Sequence, residues 1–357
     1  MREFLKKYRK NLLIVVIIGF IVYFYILFKN DAKLIIEKIS QVNIIYVPII
    51  LFLLFVYLFF EAQVIFILAR KRVKGLKIGD AFRVNLATQF FNAVTPFASG
   101  GQPFQVVYLN SRGIKVRDAT SIVLINFITF NIAFLILGIF SLIFKFNYFN
   151  YYLAQEGYQY ILIIGFIVNF FVTVFSIFLT YSRKFYYFFI EVLLKKIARW
   201  PLIRKFKLET KTENMKKAID DFNIAVKTFN YKGLWLISIF YHLIRIICFY
   251  AIPLVIFMAL GENVSGNEFN IIVGAFFVAM VMSYIPTPGA SGGAEGLFYI
   301  IFSIFFKNSI IAALLLWRFI TYYISLLIGF ISLITLNHKK NLVYFDSLEE
   351  EMVENER

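Results

Sequence analysis

The sequence predicts an all-α polytopic membrane protein built as an inverted-topology repeat. Six full spans and two re-entrant, broken-helix hairpins are expected, with eight full spans as the rival count. Three observations carry this. The 357 residues are 61% hydrophobic and only 16% charged, with mean hydropathy +0.76; a soluble chain of this length could not bury so much apolar surface. Long apolar runs alternate with clusters of Lys and Arg. Finally, TPFASGG at 95–101 returns as TPGASGG at 287–293.

Taken in order, the opening MREFLKKYRK precedes an apolar run at 11–28 that is long enough to span, since a bilayer needs roughly 20 residues. No small-residue cleavage site follows, so a retained first helix is expected rather than a signal peptide. Full spans are expected at 43–69, 119–144, 159–180, 233–260 and 309–336. The runs at 79–110 and 269–306 are each broken in the middle by a heptapeptide. Basic clusters fall at the N-terminus, 70–77, 112–117, 183–232 and 339–340. Placing all of them in the cytoplasm puts both termini there, and makes hairpin one enter from inside and hairpin two from outside. The net charge of +16 is then explained by orientation and anionic lipid headgroups, not by nucleic acid. Residues 1–340 form one domain, with repeat one at about 43–144, repeat two at about 233–336 and a basic cytoplasmic segment at 181–232. Within that segment RKFYYFFIEVLLKKIARW is amphipathic and suits the inner leaflet. The stretch 341–357 is an acidic cytoplasmic tail.

A shift of 192 residues aligns 95–129 with 287–321 and matches 12 positions, six of them in the heptapeptide. Apolar bias inflates Ile, Leu and Phe matches, but not those of Gly and Pro. Proline stops a helix, and paired glycines free the backbone. Unsatisfied backbone groups cannot face lipid, so each break must be buried in protein or line a wet cavity. The half-helices leaving the breaks aim their partly positive ends at the centre. Tight helix packing is the plain alternative for a single copy; two inverted copies favour a site. The expected substrate-binding residues are therefore Thr95, Pro96, Ser99, Gly100, Gly101, Gln102, Thr287, Pro288, Ser291, Gly292 and Gly293.

Charges inside spans extend this set. Arg318 lies ten residues into the last span, about 15 Å deep, and needs a partner. Glu295 is the nearest candidate; their mates at the 192-residue shift are Asn126 and Pro103, so the pair belongs to one half. His242 and Arg245 share a helical face, and Glu61 at comparable depth is a partner for Arg245, either as a relay or as a structural ion pair. Arg83, with Asn85, Gln89 and Asn92, suits a cavity lining. Cys248 has no partner for a disulfide, and no metal site, cofactor motif, ATP-binding loop or catalytic signature is present in the sequence. Transport would be passive or ion-coupled, and a homo-oligomer is left open.

The stretches AxxFFNAVTPFASGGQPFQVVYLNSRGI and PTPGASGGAEGLF, with WRFITYYISLLIGF after the second, resemble the lysylphosphatidylglycerol synthase transmembrane region, or flippase-like domain family. The resemblance covers about 10–337. It implies a membrane-embedded translocator of anionic or aminoacylated phospholipid, as in the multiple peptide resistance factors. Many members have Glu where Gln102 stands. The thirteen residues FDSLEEEMVENER leave no room for those factors' C-terminal synthase domain, so a lysyltransferase is not expected. A carrier of small organic anions is the alternative.

Overall fold

The computed structural model describes residues 32–155, 157–158, 160–181, 232–306, 308–336 and 343–344. The apolar run at 11–28, most of the basic segment 181–232, Lys307 and nearly all of the tail lie outside the described residues. Among the described residues twelve α-helices follow one another: α1 Ala32–Ser40, α2 Val47–Ala69, α3 Ile78–Val94, α4 Gly101–Ser111, α5 Val116–Gln155, α6 Ile161–Tyr181, α7 Lys232–Tyr250, α8 Ile252–Ala259, α9 Glu268–Met282, α10 Gly293–Phe302, α11 Ile310–Arg318 and α12 Ser325–Thr335. A π-helical turn, Phe319–Ile324, joins α11 to α12. Val73–Lys74 pairs with Val343–Tyr344 as the only strand pair among the described residues.

Among the described residues five continuous helical stretches are long and apolar enough to cross a membrane: 44–69, 116–155, 161–178, 233–259 and 310–335. They sit where apolar runs predict them, with two local differences. The run at 119–144 continues as helix to Gln155, because nothing in 145–155 breaks it: there is no Gly or Pro until Gly157. The run at 233–260 divides at Ala251, one residue before a helix that carries Pro253 in its first turn. Proline is well placed there, where its missing N–H removes no intrahelical bond.

The interrupted runs fold back rather than cross. In hairpin one α3 stops at Thr95, held extended (φ −120°, ψ 145°) ahead of Pro96. Helix α4 then returns along α3, and Arg112 after its end lies 3.6 Å from Asp80 at the start of α3. The two open ends therefore meet on one side. Hairpin two does the same: α10 packs along α9, with Gly274 against Ile301. The arms are about 15–25 Å long at 1.5 Å per residue, enough to reach the middle of a hydrocarbon core about 30 Å thick.

Direction follows from a few contacts. Asn43 N–H donates to the Ala259 carbonyl (2.8 Å), so the start of α2 and the end of α8 share a face with the acidic loop 261–268. The opposite face carries 70–77 and 112–117, where Arg72 pairs with Asp118 at 3.8 Å. The Ser332 hydroxyl donates to the Arg83 carbonyl (2.8 Å), which brings the end of the last span to that basic face too. Along α2, hairpin one and α5 the chain runs acidic to basic, in and out on the basic side, and back. Along α7–α8, hairpin two and α11–α12 it runs the reverse. This is the inverted repeat. The two halves are packed backbone to backbone where α12 crosses α3: a Cβ at Gly329 would sit 2.6 Å from the Leu86 carbonyl oxygen. Small residues allow such approach where no water drives helices together.

Candidate functional site

The two heptapeptides share one turn over their first five residues and part at the first glycine, where Gly100 is right-handed (φ −81°) and Gly292 takes φ 87°. Phe97 and Ala98 take φ of 55° and 51°, and their equivalents Gly289 and Ala290 take 60° and 52°. In both tips Ala N–H bonds the Thr carbonyl (Ala98 to Thr95, 3.3 Å; Ala290 to Thr287, 2.9 Å). In both tips the serine N–H and hydroxyl bond the proline carbonyl, the hydroxyl at 2.9 Å each time (Ser99 to Pro96, Ser291 to Pro288). The tips touch, with Pro96 and Pro288 paired as an isolated antiparallel bridge. Tyr322, in the π-helical turn, closes the junction: its hydroxyl donates to the Ala93 carbonyl at 3.0 Å and its ring lies over Gly289. A Cβ on Gly289 would overlap that ring.

The helix starts beyond the tips are capped differently. At tip one the Thr95 hydroxyl accepts from Gly100 N–H (2.9 Å) and donates to the Phe91 carbonyl (2.7 Å). At tip two the Thr287 hydroxyl donates to the Ser291 carbonyl (2.9 Å), and the cap is the Glu295 carboxylate, which accepts from Gly292 N–H at 2.7 Å. Its other oxygen accepts from Arg318 Nε at 2.7 Å, and Arg318 Nη1 donates to the Gly289 carbonyl at 3.0 Å. The expected Glu295–Arg318 pair is thus formed, and it ties the last span to tip two. The Arg318 side chain is buried between the rings of Trp317 and Tyr322, each 5.3 Å away.

A second charged cluster lies between α2, α3 and α7. Arg245 Nη2 is 3.2 Å from Glu61 Oε2, which also accepts from Gln89 Nε2 at 2.8 Å. Arg245 Nη1 reaches His242 Nδ1 at 3.4 Å, which requires that nitrogen to be the acceptor. His242 is fully buried, and the guanidinium stacks over Tyr57 and Phe130 at 4.6 and 5.1 Å.

Both clusters border a cavity of about 560 Å³ at the meeting of the tips. Of the residues expected from sequence, Gln102, Thr287, Arg318, Glu61 and Arg245 line it. Thr95, Pro96, Ser99, Gly100, Gly101, Pro288, Ser291, Gly292, Gly293, Glu295 and His242 do not; they shape the tips or hold the lining side chains. Each heptapeptide presents the pair at its middle, Phe97–Ala98 and Gly289–Ala290, and the second adds Thr287. Arg83 corrects an expectation: it is exposed and away from the cavity, because it is on the α3 face that α12 meets through Ser332. Asn85 is also turned away, donating to the Leu58 carbonyl at 2.8 Å, whereas Gln89 and Asn92 do line the space.

Several lining residues had no motif to mark them. Asn126, Asn131 and Asn169 are polar side chains inside long apolar helices, and an intramembrane amide is the signal that could have found them. Tyr322 stands four residues after Arg318, one helical turn along the same face. Among the described residues no group of three or more His, Cys, Asp and Glu could hold a metal ion.

Comparison with known proteins places the chain in a family of membrane proteins. A UPF0104 membrane protein of Archaeoglobus fulgidus is 26% identical over 270 residues, which cover 71% of this chain and 74% of that one. The family described as the lysylphosphatidylglycerol synthase TM region matches residues 11–329, nearly the whole chain. The chain with the twin broken hairpins therefore belongs to the lysylphosphatidylglycerol synthase transmembrane-region family.

Proposed function

We propose that this protein carries an anionic or aminoacylated phospholipid, of the lysyl-phosphatidylglycerol kind, between the two leaflets of a cell membrane. The headgroup passes through the cavity while the acyl chains stay in lipid. The observation behind this is a cavity where two oppositely directed broken hairpins meet, with two buried arginines in its wall. Inverted hairpins meeting at a midplane site are the architecture of alternating access. The volume falls in the range of small-ligand sites, about 300–1,000 Å³. Buried guanidinium groups recognise phosphate bidentately. The basic face, carrying 70–77 and 112–117, is placed in the cytoplasm by the positive-inside bias, and both termini with it.

The test is reconstitution of the full chain in vesicles containing fluorescent phosphatidylglycerol or lysyl-phosphatidylglycerol, with an impermeant quencher added outside. Faster exposure of the inner probe than in empty vesicles is expected. No acceleration for either lipid would sink the reading. Uptake of a free organic anion without lipid movement would replace it with a solute carrier. Formation of lysyl-lipid from charged tRNA by the purified chain would make it an enzyme.

A further inference from the structure

Among the described residues the charges of the cavity wall cancel. Its charged lining residues are Glu61, Arg245 and Arg318; the first two pair with each other, and Arg318 pairs with Glu295. Discrimination between headgroups then falls to the uncharged polar groups. Four hydroxyls of the wall turn their protons to nearby backbone carbonyls: Thr88 to Val84, Ser283 to Ala279, Thr321 to Trp317 and Thr287 to Ser291, at 2.7–2.9 Å. A hydroxyl held in this way presents its oxygen as an acceptor. Gln89 is committed in the same sense: its Nε2 donates to Glu61 at 2.8 Å, which leaves its carbonyl oxygen. Asn92 is half-buried and Gln102 exposed, and neither makes a hydrogen bond among the described residues. Each of these two amides keeps both donors and acceptor.

A wall rich in acceptors and balanced in charge is complementary to a headgroup rich in uncharged donors, which are hydroxyls. Phe97 adds an apolar surface. The rings of Tyr57, Phe130, Trp317 and Tyr322 lie against guanidinium groups, but that of Phe97, 56% exposed, has no cation over it among the described residues. A sugar ring meets both features: hydroxyls stand around its edge, and its C–H faces stack on aromatic rings. Resting on the lipid-carrier reading, we propose that this cavity selects headgroups by their hydroxyls, and that diacylglycerol bearing an uncharged hexose is a substrate beside phosphatidylglycerol, whose glycerol also carries hydroxyls. Phosphatidylcholine has a phosphate but no donor. Phosphatidylethanolamine donates only from a cation.

The full chain in phosphatidylcholine vesicles tests this with acyl-labelled hexosyl-diacylglycerol, phosphatidylglycerol, phosphatidylethanolamine and phosphatidylcholine, each followed with an impermeant reductant of the label and compared with empty vesicles. The hexosyl and phosphatidylglycerol probes are expected to move faster than phosphatidylcholine by about tenfold, the contribution of one or two net hydrogen bonds. Gln102→Leu and Ser283→Ala each remove a polar group at an exposed wall position. Each should lower the ratio of hexosyl lipid to phosphatidylcholine by about threefold, whereas a purely structural role would slow every probe alike. A ratio that neither variant moves would overturn the selection by hydroxyls. A hexosyl probe no faster than phosphatidylcholine, with phosphatidylglycerol still moving, would overturn the inference and leave the carrier reading intact. Fastest movement of phosphatidylethanolamine would put an ammonium in place of the hydroxyls and overturn it too. No movement of any lipid, whether or not labelled free hexose enters the vesicles, would overturn the carrier reading and the inference with it.

Discussion

Tip one and tip two share a turn, but neither the backbone at the first glycine nor the chemistry. Both turn through the same consecutive left-handed residues and the same Thr, Pro and Ser hydrogen bonds. Beyond that they diverge. Tip one carries Phe97, closes on a neutral hydroxyl, and has Pro103 at the third helical position of α4. Tip two carries Gly289, and at the equivalent position Glu295 caps α10 and holds Arg318. The turn over Thr-Pro-x-Ala-Ser is therefore a property of the repeat, while the helix start beyond it, and the charge that caps it, belong to one side only. Tip two is tied to the last span by a buried ion pair; tip one leans on it through the Tyr322 hydroxyl.

If tip two is held electrostatically, its removal should be the most damaging change. Glu295→Ala leaves Arg318 buried without its carboxylate, at a cost of about 3–5 kcal/mol. Thr95→Ala at tip one loses a neutral cap, about 1 kcal/mol. Thermal unfolding in detergent should therefore separate the two variants clearly. The double change Glu295→Ala with Arg318→Met should recover part of the loss, because the stranded charge is gone. Equal losses for the two single variants would break the comparison.

The next largest effect concerns the central residue of the turn. Gly289→Ala asks a Cβ to occupy the space of the Tyr322 ring at a positive φ, which should cost about 2–3 kcal/mol. Phe97→Ala at the equivalent position meets no such ring and should lie within about 1 kcal/mol of the parent. Tyr322→Ala should partly rescue Gly289→Ala. A rescue that fails would mean that the φ angle, and not the ring, sets the requirement.

Much of this was legible because it depends on chemistry that lipid enforces. A Thr-Pro pair with two glycines, met twice among apolar runs, predicted both breaks, and charge between the runs predicted opposite directions. Arg318 and Glu295 were legible for the same reason, since a charge in a span needs a neighbour. What could not be read was which tip residues face inward. The glycines looked like the binding surface, yet Phe97, Ala98, Gly289 and Ala290 line the cavity, because two left-handed residues rotate the turn by an amount no spacing reveals. Arg83 misled in the same way: polarity marks a residue on α3, but the face that α12 covers is set by contacts some 250 residues apart.

Tyr322 tests how firmly tip one is attached. Its hydroxyl is the side-chain bond from the last span to the end of α3, donated to the Ala93 carbonyl, which a helix end leaves without an intrahelical donor. Tyr322→Phe keeps the ring over Gly289 and removes only this bond, at about 1 kcal/mol. A smaller loss than for Glu295→Ala is expected in the same detergent unfolding, with tip two unaffected.

The smallest expected effect is at Phe97, and its sign is the informative part. A bulky residue in the left-handed region costs about 1–2 kcal/mol, and Phe97, being 56% exposed, recovers little by burial. Phe97→Gly removes that strain but adds about 0.5–1 kcal/mol of chain entropy in the unfolded state. The net change in thermal unfolding should be a slight gain, no more than about 1 kcal/mol. Because the ring borders the cavity, the same variant should alter lipid movement in vesicles more than it alters stability. A strained side chain retained against a small stability gain is the pattern expected of a functional position. A clear loss of stability in Phe97→Gly would instead make the ring part of the packing, and tip one would then be held as firmly as tip two.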